Sequence, residues 1–102
     1  MNSDIVITPS SFGKVSQKAF SLLKKHFKNI KINDSGKKIP SHEVVNFYEN
    51  AEYSIAGLEL LDKKNLEQLP NLKIISRVGI GLDNIDLDYA QKREIKILNT
   101  PN

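Results

Sequence analysis

The sequence predicts an α/β fold, with a five-stranded parallel sheet and helices on both of its faces. Short apolar runs of the kind that form buried strands recur along the chain. Between them lie longer segments whose apolar residues repeat at helical spacing. Strand and helix alternate throughout, as they do where parallel strands are joined by right-handed crossovers. With 102 residues, the chain has room for one domain.

Five segments are predicted to be strands, and their composition predicts their places in the sheet. The first and fourth are the most apolar and are expected in the interior. The second alternates isoleucine with lysine and asparagine, which is typical of an edge strand. The flavodoxin-like order 2-1-3-4-5 satisfies both conditions. The predicted strands are residues 5–7, 30–33, 53–56, 72–76 and 95–98.

Four helices are predicted between the strands. Asp62 and Asp86 are expected to cap the third and fourth, because an aspartate before a helix accepts hydrogen bonds from its first amides. The lysines at 24–28 are interpreted as the polar end of the first helix, since no aromatic platform accompanies them as in a nucleic-acid site. The predicted helices are residues 15–27, 40–48, 62–69 and 86–93.

Composition excludes several classes of protein. The chain has no cysteine, which excludes disulfides, thiolate metal sites and cysteine nucleophiles. No apolar run approaches the roughly 20 residues that cross a membrane, and the net charge of +3 is modest. We therefore expect a cytoplasmic protein without nucleic-acid or membrane partners. Asp83 and Asp86 are expected to serve a turn and a helix cap, and no metal site is predicted, because a calcium loop needs more oxygen ligands.

The carboxyl ends of the strands are where an open parallel sheet binds its ligands. Within this rim, the glycines of residues 77–81 allow backbone amides to turn toward an anion, and Arg77 adds a fork suited to a carboxylate. The same glycines could serve only a tight turn, with Arg77 at the surface, and the spacing leaves both interpretations open. A Rossmann phosphate loop is excluded, because its third glycine is absent. The predicted rim comprises residues 8–12, 56–59, 77–81 and 99–102.

A longer stretch around these glycines has a recognisable pattern. Residues 69–87 read LPNLKIISRVGIGLDNIDL, the segment Gly57-Leu-Glu-Leu-Leu61 precedes them, and Asn99-Thr100-Pro101 follows. The pattern resembles the D-isomer-specific 2-hydroxyacid dehydrogenase family, and is most similar to its phosphoglycerate dehydrogenase-like branch. The resemblance covers residues 54–101, whereas the first fifty residues agree only in the alternation of strand and helix.

The resemblance implies a two-domain oxidoreductase that transfers a hydride between a nicotinamide cofactor, NAD or NADP, and a 2-hydroxy or 2-oxo acid. Residues 1–102 would form the N-terminal portion of its substrate-binding (catalytic) domain, truncated after the fifth strand. In the family, the amides at Val78 and Gly79 bind the substrate carboxylate, Arg77 stands beside the pocket and Asn102 lies near the substrate. The catalytic residues and the cofactor-binding domain lie further along. We therefore expect this chain to carry no catalytic, cofactor-binding or metal-binding residue, to be inactive alone and to bind no NAD.

The resemblance includes one departure that bears on the substrate. Phosphoserine-pathway members of the family often carry an arginine at the end of the third strand, where this chain has Ala56. A phosphate group would lose that partner. The resemblance therefore implies either a non-phosphorylated 2-hydroxy or 2-oxo acid as the substrate, or 3-phosphoglycerate with Arg77 and lysines elsewhere as substitutes.

Two alternatives of different class remain open. One is a corepressor-like interaction module of the same fold that senses NAD, which the sequence beyond residue 102 would distinguish by its catalytic residues. The other is a free-standing flavodoxin-like domain. Residues 8–13 only weakly approximate the phosphate loop that a flavodoxin requires.

We predict that the chain self-associates, as a homodimer or larger species. It stops directly after a strand, so apolar residues of the fifth strand, Ile95, Ile97 and Leu98, are expected to be uncovered. Each aliphatic side chain that becomes buried contributes roughly 1.5–3 kcal/mol. Sedimentation at several concentrations measures this, and a monomer mass that does not change with concentration contradicts it.

Overall fold

Five parallel strands form a single sheet in the order β2-β1-β3-β4-β5. The computed structural model of the chain describes residues 4–9, 21, 24–78 and 81–100. The predicted fold class and strand order are confirmed. The strands are β1 (Asp4–Ile7), β2 (Asn29–Ile32), β3 (Tyr53–Ala56), β4 (Ile74–Val78) and β5 (Lys96–Thr100).

Three helices follow β2, β3 and β4 in turn: α1 (Ser41–Tyr48), α2 (Lys63–Glu67) and α3 (Leu87–Lys92). Because their three crossovers all run in one direction along the sheet, the right-handed rule places them on one face. The crossover from β1 to β2 runs the opposite way. The helix predicted there, residues 15–27, lies largely outside the described residues, although residues 24–26 are helical.

Both predicted aspartate caps are present. The Asp62 side chain accepts a hydrogen bond from the Asn65 amide at 3.0 Å. The Asp86 side chain accepts one from the Tyr89 amide, also at 3.0 Å. Each cap satisfies an amide that has no partner within its helix, which stabilises the helix by about 1 kcal/mol.

Burial follows the predicted arrangement of the strands. Residues 5–7 of β1 are buried, whereas exposed and half-buried residues alternate along the edge strand β2. α2 packs against α1 and α3, and α3 packs against β5. The main apolar cluster consists of Val6, Ile39, Val44, Tyr48, Ala51, Ala56, Leu61, Leu66, Leu69, Leu72, Ile75, Ile85, Ala90 and Ile95.

β4 and β5 begin and end later than the sequence predicts. Their apolar character predicts that Leu72 and Ile95 begin these strands, yet their amides bind the carbonyls of Leu69 and Ala90, as in turns that close the preceding helices. Both side chains are buried in those turns, so their apolar character does not mark a strand. β4 therefore extends through Arg77 and Val78, which are Cα partners of Asn99 and Thr100 in β5.

The expectation of a largely uncovered fifth strand is wrong for Ile95, which lies in the apolar cluster. Ile97 is half-buried, and Leu98 is 44% exposed at the edge of the sheet. Self-association through this edge stays a prediction. None of the helices in the described ranges has the length and apolar character that crossing a membrane requires.

Candidate functional site

A cavity opens at the carboxyl ends of β1, β3 and β4. Three segments of the predicted rim meet there, those after β1 and β3 and the end of β4. The cavity has a volume of about 250 Å³. We refer to it as the rim cavity, and its described lining residues are Thr8, Pro9, Lys38, Gly57, Leu58, Arg77 and Val78.

Arg77 is a nearly buried cation that lines this cavity. It is the fourth residue of the five-residue β4 and is only 7% exposed. Its Nε donates a hydrogen bond to Oδ1 of Asn84 at 3.2 Å. Its Cα partner in β3 is Ala56, which is fully buried. A small residue on the neighbouring strand therefore lies beside the arginine at the end of the sheet.

Asn84 joins the loops that follow β3 and β4. Its Nδ2 donates to the carbonyl oxygens of Gly57, at 3.1 Å, and Glu59, at 2.8 Å. Its backbone carbonyl accepts a hydrogen bond from the Leu61 amide at 2.8 Å, and the Asp86 amide binds the Leu61 carbonyl at 3.0 Å. One side chain thus contacts Arg77 on one side and the Gly57–Glu59 turn on the other.

A buried carboxylate lies behind the rim cavity. Glu59 is 1% exposed, and its Oε2 accepts hydrogen bonds from the hydroxyls of Thr8 and Tyr48, both at 2.5 Å. Its Oε1 accepts one from the Gly57 amide at 3.1 Å. We call Thr8, Tyr48, Ser54, Gly57 and Glu59 the Glu59 network. Burying a carboxylate is costly unless it is hydrogen-bonded, and hydrogen bonds to an ionised acceptor are about twice as strong as neutral ones.

Tyr48 is the member of this network that joins it to the apolar cluster. Its hydroxyl lies 2.7 Å from Oγ of Ser54, in addition to the bond it donates to Glu59. Burial raises the pKa of Tyr48 well above its usual value near 10, and the adjacent Glu59 carboxylate raises it further. The tyrosine is therefore held as a neutral donor. No buried side-chain nitrogen or oxygen in the described part of the chain lacks a hydrogen-bond partner.

Gly57 allows two backbone segments to come close together. A Cβ atom at this position would lie 3.0 Å from Cα of Pro9. The Gly57 amide also donates to the Thr8 hydroxyl at 2.9 Å. A larger residue would therefore separate the chain after β1 from the loop after β3, and both line the rim cavity.

The structure brings together some of the predicted site residues. Arg77 and Val78 line the rim cavity, as strand residues rather than as part of a loop, whereas Gly79 and Asn102 lie outside the described residues. The sequence analysis assigned no role to Lys38 or Asn84, and it placed Glu59 in the rim without predicting its buried network. One local pattern pointed to Glu59, because a glutamate between two leucines, at 58 and 60, can indicate a buried carboxylate. Among the described residues, no group of histidine, aspartate or glutamate could hold a metal ion.

Comparison with known proteins identifies the family. The model for the catalytic domain of D-isomer specific 2-hydroxyacid dehydrogenases matches residues 5–102. The chain belongs to this family. The chain is also similar to individual proteins of known sequence. A Staphylococcus epidermidis protein provisionally named 2-hydroxyacid dehydrogenase is 33% identical over 91 residues, which cover 88% of this chain and 28% of that protein. The chain thus spans less than a third of the length of such relatives.

Two further similarities are informative. The hydroxypyruvate reductase of Thermotoga maritima is 61% identical over 36 residues, which are 35% of this chain and 12% of that enzyme. The crystal structure of NAD+-bound 3-phosphoglycerate dehydrogenase from Entamoeba histolytica superimposes with a TM-score of 0.75 at 22% identity. The superposition covers 99% of the present chain and 33% of the Entamoeba histolytica chain. At that identity, the similarity supports the shared fold.

We predict that Tyr48→Phe lowers the free energy of unfolding by about 1–3 kcal/mol at pH 7, because it removes a donor from buried Glu59. It should also change the dependence on alkaline pH. The pKa of Tyr48 is higher in the folded than in the unfolded protein, where it is near 10, so this difference does not affect stability below pH 10. Above pH 10, the free energy of unfolding falls by up to about 1.4 kcal/mol per pH unit until the pH reaches the folded-state pKa. Urea unfolding between pH 7 and 11 measures both effects.

The control for this prediction is Tyr89→Phe, since Tyr89 packs against Lys63 and Arg93, outside the Glu59 network. The control should keep the wild-type loss of stability above pH 10. If Tyr48→Phe showed the same alkaline loss as the wild type, the ionisation of Tyr48 would not be its cause.

Proposed function

We propose that this chain forms the acid-binding part of a nicotinamide-dependent D-2-hydroxyacid dehydrogenase. The observation that carries the proposal is Arg77, a nearly buried cation at the carboxyl end of β4 that lines the rim cavity. Ligands of open parallel sheets bind at this end of the strands. Family membership supports the reaction class.

The substrate carboxylate would bind at the end of β4. A guanidinium presents a planar fork of donors that matches the two oxygens of a carboxylate. The backbone amides of Val78 and Gly79 would supply further donors to the same group, and Asn102 would lie beside the substrate. The low exposure of Arg77 strengthens the interaction, since less water screens it.

In the whole protein, a hydride would pass from the reduced nicotinamide to C2 of a 2-oxo acid while a general acid protonates the oxygen, giving the 2-hydroxy acid and the oxidised cofactor. This chain does not fit the cofactor itself. Its glycine segment has Asn84 where a dinucleotide loop would carry its third glycine, and Asn84 is occupied with Arg77 and two carbonyls. The proposed role of the chain is therefore confined to binding and orienting the acid.

We further propose a short substrate, and Lys38 as the partner of a second anionic group. The rim cavity is small, at about 250 Å³, and Pro9 and Leu58 supply apolar wall. Ala56 leaves no cation at the end of β3, but Lys38 lines the same cavity as Arg77 from the loop before α1. Two cations in one cavity favour an acid with a second negative charge, such as 3-phosphoglycerate, over a singly charged one.

Arg77→Lys in the whole protein tests the carboxylate site. The change keeps the charge but removes the fork, and a hydrogen bond between charged groups contributes about 1.5–3 kcal/mol. We therefore expect the KM for the 2-oxo acid to rise at least about tenfold. Steady-state kinetics measures it.

The matched control is Arg93→Lys. Arg93 donates to the carbonyls of Leu66 and Leu69, at 2.6 and 2.8 Å, and does not line the rim cavity. This variant should lose stability and keep its KM. An unchanged KM in Arg77→Lys would reject the carboxylate site.

Lys38→Met tests the second anionic group. We expect kcat/KM for the 2-oxo form of 3-phosphoglycerate to fall about two- to fivefold relative to hydroxypyruvate, because an exposed ion pair contributes up to about 1 kcal/mol. Lys37→Met, at the neighbouring exposed lysine, should leave the ratio unchanged. An equal ratio in all three proteins would mean that Lys38 does not select the substrate.

A further inference from the structure

The orientation of Arg77 depends on a residue that lies outside the predicted site. The bond to Asn84 uses Nε, the nitrogen at which the guanidinium joins the side-chain stem. A hydrogen bond at this atom restricts rotation of the guanidinium plane about the last torsions of the side chain. Long side chains such as arginine otherwise lose substantial rotamer entropy when a ligand orders them.

We propose that Asn84 is a positioning residue that orients Arg77 for the substrate carboxylate. The inference rests on the proposed function of Arg77. It adds that the Arg77 side chain loses part of its rotamer entropy on folding, before the substrate binds. Asn84 would not touch the substrate. Its effect would pass through the guanidinium.

The chemistry of position 84 requires an amide. The side chain accepts from a cation through Oδ1 and donates to two carbonyls through Nδ2, so the three bonds together fix which end is oxygen. Aspartate could accept from Arg77, but it would turn a negative oxygen toward the Gly57 and Glu59 carbonyls. Its charge would also offset that of Arg77. Alanine would remove all three bonds.

Asn84 is itself held in place by the Glu59 network. Its Nδ2 donates to the backbone carbonyls of Gly57 and Glu59. These two residues are held in turn by the Gly57 amide, which donates to the Thr8 hydroxyl and to the Glu59 carboxylate. A continuous set of hydrogen bonds therefore runs from Tyr48 and Thr8, through the Gly57–Glu59 turn and Asn84, to Arg77. The donor–acceptor distances along this set lie between 2.5 and 3.2 Å.

The first experiment compares Asn84→Ala and Asn84→Asp in the whole protein. We expect Asn84→Ala to raise the KM for the 2-oxo acid about tenfold with little change in kcat, since a lost binding interaction common to ground and transition states acts on KM. Asn84→Asp should raise it further, because it adds a charge that competes with the substrate. The KM for the nicotinamide cofactor should not change.

The control is Asn65→Ala. Asn65 is buried, and its Nδ2, like that of the half-buried Asn84, donates to a backbone carbonyl, that of Leu60 at 2.8 Å, and also to the Ser41 hydroxyl at 3.4 Å. It should lose stability without a change in the KM for the 2-oxo acid. A KM effect of similar size in Asn65→Ala would mean that loosening of the loops, rather than the orientation of Arg77, is responsible.

The second experiment observes Arg77 directly and needs no activity. In protein labelled with ¹⁵N-arginine, the Nε–H signal of Arg77 is assigned by its disappearance in Arg77→Lys. Hydrogen exchange of this proton should accelerate about tenfold or more in Asn84→Ala, because the hydrogen bond that protects it is gone. The Nε–H signal of Arg93 should keep its exchange rate.

The two experiments distinguish the possible failures. Unchanged exchange at Arg77 Nε in Asn84→Ala overturns the positioning role. So does an unchanged KM in Asn84→Ala when Arg77→Lys raises it. If Arg77→Lys itself leaves the KM unchanged while the exchange accelerates, Asn84 positions Arg77 and the proposed function of Arg77 is what fails.

Discussion

The hydrogen bonding of one buried carboxylate constrains the carboxyl end of this sheet. Glu59 can be buried only because three donors converge on it, and they come from the end of β1, the end of α1 and the loop after β3. Loss of the Thr8 or Tyr48 hydroxyl leaves Oε2 with one donor instead of two, and loss of the Gly57 amide bond removes the donor given to Oε1. The network therefore favours a single arrangement of the three segments, which is the geometry that a binding site at this edge requires.

Arg77 is joined to Glu59 by hydrogen bonds that pass through one intermediate residue. The connection between them is the neutral amide of Asn84, which accepts from the arginine and donates to the Glu59 backbone. A neutral link orients the guanidinium but does not cancel its charge. A carboxylate at position 84 would instead compete with an anionic ligand for the guanidinium.

The sequence carried enough information for the fold and for part of the site. Helix caps at Asp62 and Asp86 are local, and the apolar content of β1 and β2 separates an interior strand from an edge strand, so these features were predictable. The strand ends were not predictable, because the apolar side chains of Leu72 and Ile95 are buried in the turns that close the preceding helices. Glycines beside Arg77 pointed to the site. The roles of Glu59 and Asn84 were not predictable, because the bonds that define them include Thr8 to Glu59, 51 residues apart, and Asn84 to Glu59, 25 residues apart, separations that no local pattern reveals.

Gly57 fixes the distance between two backbone segments of the cavity wall. Main-chain atoms of Gly57 and Pro9 approach so closely that even a methyl group would need several tenths of an ångström of extra clearance. The spacing between these two parts of the wall is thus set by backbone against backbone, and rotamer changes cannot alter it. The wall at Gly57 and Pro9 therefore keeps its shape, whereas the Lys38 side chain, which lines the same cavity, can change its rotamer.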